Sequence, residues 1–144
     1  MPHSPTMLRS GRHIEDGFSI VTRGCWFRLL QRAAPGIVKA CDWIIRESAR
    51  TKDRHELERG LLPAGSLEDI GDWWTWLSTS CYTWRGLDSA AWALEQIKHP
   101  DAKRIRKAAD EYHRTLLANF HKASELSPVV RLRDGTAIPK IPSH

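Results

Sequence analysis

The most regular pattern in the chain is an apolar stripe at Ile105, Ala109, Tyr112, Leu116, Phe120 and Ala123, each three or four residues from the next. It predicts a long helix over residues 102–126, about six turns at ~3.6 residues each. Upstream, Trp84, Leu87, Ala91, Leu94 and Ile97 keep the same spacing and predict a helix over residues 81–98, with Ala90 and Ala93 small enough to admit a neighbour. His99-Pro100-Asp101 separates the two, because the residue before a proline avoids the helical region and Asp101 can cap the second helix. Residues 36–50 carry Ile37, Ala40, Cys41, Ile44 and Ser48 on one stripe, a third helix. Residues 14–34 place Phe18, Val21, Cys25, Leu29 and Arg32 at helical spacing, with Gly17 and Gly24 weakening the pattern. Pro35 is expected either to break the chain there or to start the next helix.

Between these periodic runs the chain changes character. Residues 51–59 are nearly all charged or polar and read as a solvated connection or a helix extension. GLLPAG, residues 60–65, holds two glycines and a proline and cannot be regular. Ser66 and Asp69 form a capping-box-like pair expected to open a short helix. Asp72 could cap a second start at Trp73, and Ser78, Thr79 and Ser80 supply another cap. Near the C-terminus, residues 129–133 and 136–138 flank Asp134-Gly135 and predict a small hairpin, which Pro139 and Pro142 keep short. Residues 1–13, with Pro2, Pro5 and Gly11 and no periodicity, read as a disordered start. The expected fold is therefore all-α: antiparallel helical hairpins over residues 14–144 with a short C-terminal β-hairpin.

Composition narrows the class without naming a function. The 144 residues suit one domain with a single core, and 41% hydrophobic with 27% charged residues is an ordinary globular balance. No apolar run approaches the ~20 residues of a membrane span, and the N-terminus lacks the apolar core of a signal peptide. The expectation is a cytoplasmic protein with no membrane partner, which an upstream leader would change. Cys25, Cys41 and Cys81, odd in number and widely spaced, read as small buried apolar residues. The net charge of +5 raises the question of nucleic acid. However, Lys103, Arg104, Arg106 and Lys107 wrap around Ile105 with Asp101, Asp110 and Glu111 interspersed, a solvated helix surface, so no nucleic-acid partner is expected.

Candidate chemistry gathers in residues 60–86. That stretch holds Trp73, Trp74, Trp76, Trp84 and Tyr82 beside Glu68, Asp69 and Asp72, with Arg85 as its only base. Flat apolar rings next to a few carboxylates suit an uncharged ring-shaped ligand such as a sugar. The competing reading is that the tryptophans are core, as large aromatics usually are. Asp69 and Asp72, three apart, would sit ~5–6 Å from one another on a helix, within the range of two-carboxylate glycosidases. A pair on one turn cannot readily straddle a sugar, so helix capping competes with a hydroxyl contact, most evenly at Asp72. No phosphate-binding glycine loop, metalloprotease motif, nucleophile elbow or zinc-spaced cysteine–histidine pair is present, so no metal and no cofactor is expected. His113 and His121, two turns apart, are too far apart to share an ion.

The order of GLLPAGSLEDIGDWW, an alanine-rich helix after Tyr82, Ala109-Asp110-Glu111-Tyr112 and SPVVRLRDGT resembles bacterial six-hairpin glycosidase-like proteins, over roughly residues 26–142. The resemblance implies an (α/α)6 toroid of twelve helices with a carbohydrate cleft at one mouth. It further implies that Asp69, Asp72, Trp73, Trp74, Tyr82 and Trp84 lie at or near that mouth; together with Arg85 these are the candidate substrate-binding residues. It identifies no catalytic acid or base. About four helices cannot close a ring of twelve, so the chain is expected to be part of a larger toroid, catalytically inert alone. Its uncovered hairpin faces would promote self-association. The alternative is a non-catalytic helical module whose tryptophans anchor a protein partner.

Overall fold

The computed structural model describes residues 16–67 and 70–143. Among these residues three helices and two small hairpins succeed one another: α1 (Asp16–Ala49), β1 (Gly65–Leu67), β2 (Ile70–Trp74), α2 (Leu77–Gln96), α3 (Ala102–Leu126), β3 (Val129–Arg131) and β4 (Ala137–Pro139). The expected disordered start, residues 1–13, lies outside the described residues.

The α2–α3 hairpin is the centre of the molecule. Leu87, Ala91 and Leu94 of α2 are sealed together with Ala102, Ile105, Ala109, Tyr112 and Leu116 of α3. Ala91 and Ala109, both wholly buried, let the helices approach closely. The turn between them is a Schellman closure: the Lys98 N–H donates to the Glu95 carbonyl at 3.0 Å and the His99 N–H to the Leu94 carbonyl at 2.9 Å. Lys98 takes the left-handed conformation this requires, φ 52°. His99 Nδ1 then accepts from the Asp101 N–H at 3.2 Å, while Asp101 itself makes no side-chain cap. On the flank, Arg106 binds Asp88 and Glu95 of α2, and Arg104 reaches Asp42 of α1 at 2.7 Å. Half-exposed pairs of this kind contribute little individually, at most about 1 kcal/mol.

α1 corrects the expectation of a break at Pro35: it is one helix of 34 residues running straight through the proline. Pro35 deprives the Gln31 carbonyl of its helical partner. Ala34 and Cys41, buried on either side, hold both segments in line against the core. Among the side chains described in α1, from residue 24 onward, the first buried one is Ala34. Earlier in the helix Trp26, Phe27 and Leu29 stand exposed, so the first half of α1 overhangs the core. The cysteines divide likewise. Cys41 is buried, its thiol pKa pushed up by desolvation, whereas Cys25 and Cys81 are exposed, against the expectation that all three are interior.

A second correction concerns residues 65–74. The capping-box pair does not open a helix; β1 and β2 pair antiparallel, Gly65 opposite Trp74 and Leu67 opposite Ile70, with a bulge between. Glycines at 65 and 71 disfavour helix, while isoleucine and tryptophan suit a pleated surface. The Trp76 indole N–H closes the open end on the Gly65 carbonyl at 2.8 Å. α2 therefore starts at Leu77, four residues ahead of expectation, with Trp76 at its N-cap and no side-chain cap, so Asp72 lies on a strand and Ser78, Thr79 and Ser80 inside the helix. The C-terminal hairpin forms as expected, Val129 opposite Pro139 and Arg131 opposite Ala137.

The loop from α1 to β1 is pinned by a buried hydroxyl. Thr51 Oγ1 lies 2.8 Å from the Ser48 carbonyl and 2.7 Å from the Leu61 carbonyl, and it accepts from the Gly60 N–H at 3.1 Å. Gly60 itself has φ +75°, and a Cβ there would meet Thr115 Cγ2 at 3.1 Å. Gly60→Ala should therefore destabilise by about 1–2 kcal/mol, through both the left-handed backbone and the contact. A urea midpoint equal to that of the parent chain would contradict this account.

Candidate functional site

Strand alternation separates the two adjacent tryptophans. Trp73 and Trp74 point to opposite faces of the hairpin. Trp73 is 71% exposed, whereas Trp74 stands between two hollows, neither of which Trp73 lines.

The first hollow, of about 250 Å³, lies between the middle of α1, the first hairpin and the start of α2. Trp43, Trp74 and Trp76 supply its aromatic surface, and Glu47, Ser66, Thr75, Thr79 and Ser80 are its polar residues. Trp43 and Glu47 reach it together because they are four apart on α1. Glu47 is fixed by Arg50 at 2.7 Å and Arg46 at 3.3 Å. The hydrogen bond from Arg50 is the main reason its carboxyl is held below the usual range, with Arg46 adding to it. The anion is thus an acceptor, not a proton donor.

The second hollow, of about 210 Å³, lies between the Leu57–Leu61 loop, α3 and the C-terminal tail. Leu57, Leu61, Leu77, Leu116, Phe120 and Pro142 make it largely apolar. The tail is held in place by the Leu77 N–H, which donates to the Ser143 carbonyl at 3.0 Å. Trp74, Thr75 and Ser80 line both hollows, which therefore adjoin. At this shared wall Thr75 Oγ1 is buried with no hydrogen-bond partner. Nearby, the Tyr112 hydroxyl is also buried without one at normal geometry, although Leu62, Ser80 and Thr83 surround it. Burial pushes its pKa above that of an ordinary phenol. A buried hydroxyl without a partner costs on the order of 1–3 kcal/mol.

The residues singled out from sequence are thus not all brought together. Trp74 is in the wall; Asp72 and Tyr82 are exposed and line neither hollow. Trp84 is half-buried and stacked on His113, ring centroids 4.1 Å apart and planes 9° from parallel. Arg85 pairs with Asp88 at 3.1 Å on another side of α2. Asp69 lies outside the described residues. Sequence reasoning passed over Trp43, Glu47, Thr75, Ser80 and the role of Trp76. The i, i+4 placement of Trp43 and Glu47 was a usable signal, but it only becomes a site once the hairpin folds over it.

Among the described residues no cluster of histidine, cysteine and carboxylate side chains could hold a metal ion. No described helix is long and apolar enough to cross a membrane. No protein-family model, curated protein or solved structure matches this chain.

Proposed function

We propose that this chain is a carbohydrate-binding part of a glycoside-hydrolase-like protein, contributing helical hairpins to an (α/α)6 arrangement. Its sugar ring would occupy the hollow at Trp43, Trp74 and Trp76. The observation that carries this reading is the composition of that hollow among the described residues: three indoles around one fixed carboxylate, with Ser66 and Thr79 beside them. Indole faces cover the apolar C–H side of a pyranose, and the Glu47 anion, Ser66 and Thr79 bond its hydroxyls. A volume below the about 300–1,000 Å³ of drug-sized sites suits one ring rather than several.

The same geometry argues for binding without cleavage. Two-carboxylate hydrolysis needs a protonated acid facing a second carboxylate, about 5–9.5 Å away. Among the described residues the hollow holds one carboxylate, and its guanidinium partners keep it ionised. Titrating oligosaccharides against tryptophan fluorescence should give saturable quenching, level between about pH 5 and 8. It should weaken only at lower pH, as Glu47 takes up a proton through its depressed pKa. No reducing sugar should be released. Turnover of any glycoside by the purified chain would refute the inert-binder reading.

A protein-interaction role is favoured by one separate observation. Trp73 and Tyr82, 71% and 79% exposed, would not be touched by a sugar in the hollow. Exposed aromatics are common anchors for protein partners.

A further inference from the structure

We infer that the ligand is an amphiphilic glycoside, its sugar ring against Trp43 and its apolar aglycone in the adjoining trough. This rests on the sugar reading above and goes beyond it by naming the class of ligand.

The two hollows contrast in chemistry and share a wall. They share Trp74, Thr75 and Ser80, so a molecule seated in one can reach toward the other past these side chains. A second sugar in the trough would need acceptors and donors for its hydroxyls. The trough offers Leu57, Leu61, Leu77, Leu116, Phe120 and Pro142 instead. Several of its polar members are engaged in the fold: Asn119 Nδ2 donates to the Arg59 carbonyl at 3.1 Å, His55 Nδ1 accepts from the Leu57 N–H at 3.3 Å, and Glu58 lies 3.9 Å from Arg54. Sugar hydroxyls placed there would lose water without replacement, which is unfavourable.

An apolar group has the opposite balance. A dry cavity of about 150 Å³ accepts benzene, and the trough measures about 210 Å³. Thr75 and Ser80 belong to the lining of both hollows. Trp74, with one wall in each hollow, covers the junction. The trough thus adjoins the sugar hollow, an apolar surface beside a more polar one.

The test compares methyl and phenyl β-glycosides of glucose, galactose, mannose and xylose by calorimetric titration of the full chain. For whichever sugar binds, the phenyl glycoside should bind at least about tenfold tighter than the methyl glycoside, since apolar area leaves water. Phe120→Asp should bring the phenyl glycoside down to the methyl level and leave the methyl glycoside unchanged. Should circular dichroism show that variant unfolded, Leu57→Ser tests the same wall from the loop. Equal affinity for methyl and phenyl forms would overturn the aglycone assignment while leaving the sugar site standing. Phenol binding as tightly as the phenyl glycoside, and indifferent to Trp43→Ala, would reduce the trough to a plain apolar cleft and overturn it too. If no glycoside of either kind binds, the sugar reading itself fails and the aglycone assignment falls with it.

Discussion

Ile105→Ala is expected to lower the unfolding free energy by about 2–5 kcal/mol, the range for deleting a buried aliphatic side chain that leaves a cavity. Ile105 has no solvent exposure and lies in the α2–α3 cluster with Leu87 and Leu94, which are also sealed. Apart from Leu61 the cluster is helix-borne, and Ala91 and Ala109 are too small to collapse into the gap. Domains of this size have only about 5–15 kcal/mol in hand, so one such change removes a large share. Leu126 provides the control. It ends the same helix, is 58% exposed, and its replacement by alanine should change stability by less than about 0.5 kcal/mol. Urea unfolding followed by helical circular dichroism reads both. Similar losses at the two positions would mean that the α2–α3 face is not the centre of stability.

The parts of the fold legible in the sequence are those where one pattern acts alone. α3 was readable to its ends because Ile105, Ala109, Tyr112 and Leu116 keep one face for the whole length, and Ser127-Pro128 stops it. The second hairpin was readable because Asp134-Gly135 is a turn with few alternatives; Gly135 has φ +86°. Residues 65–74 carried two competing local signals. Ser66 and Asp69 look like a helix start, while Ile70, Trp73 and Trp74 favour a strand, and spacing cannot decide between them. The decision comes from non-local contacts, including the Trp76 bond to Gly65 and the seat of Trp74 against α2 and α3. Pro35 misled for a similar reason, since its local cost is outweighed by burial on either side. The site was half legible for this cause: the aromatic stretch was visible, but Trp43 and Glu47 lie 31 and 27 residues before Trp74, a juxtaposition that only tertiary structure creates.

The overhanging half of α1 bears on the wider assembly. Trp26, Phe27 and Leu29 lie at consecutive or nearby positions, so their side chains leave the helix in different directions. A helix apolar on several sides is normally enclosed by neighbours. Trp26, Phe27 and Leu29 therefore form an uncovered apolar surface among the described residues.

Trp74→Ala should weaken saccharide binding by at least about tenfold, a loss of 1.4 kcal/mol, because the indole walls the sugar hollow and the junction beyond it. The fold should survive the change: Trp74 is 45% exposed and belongs to a short hairpin outside the α2–α3 core. Its neighbour makes the comparison decisive. Trp73→Ala removes an equally large side chain one residue away, on the other face of the strand, and should leave saccharide affinity within twofold or so of the parent. If the protein-partner reading holds instead, the order reverses, since the more exposed indole is the better anchor for a docked surface. Two substitutions at adjacent positions, measured against the same oligosaccharide by fluorescence and calorimetry, therefore separate the two readings. Alternation along β2 makes each variant the control for the other, and equal losses at both positions would show that neither face alone carries the site.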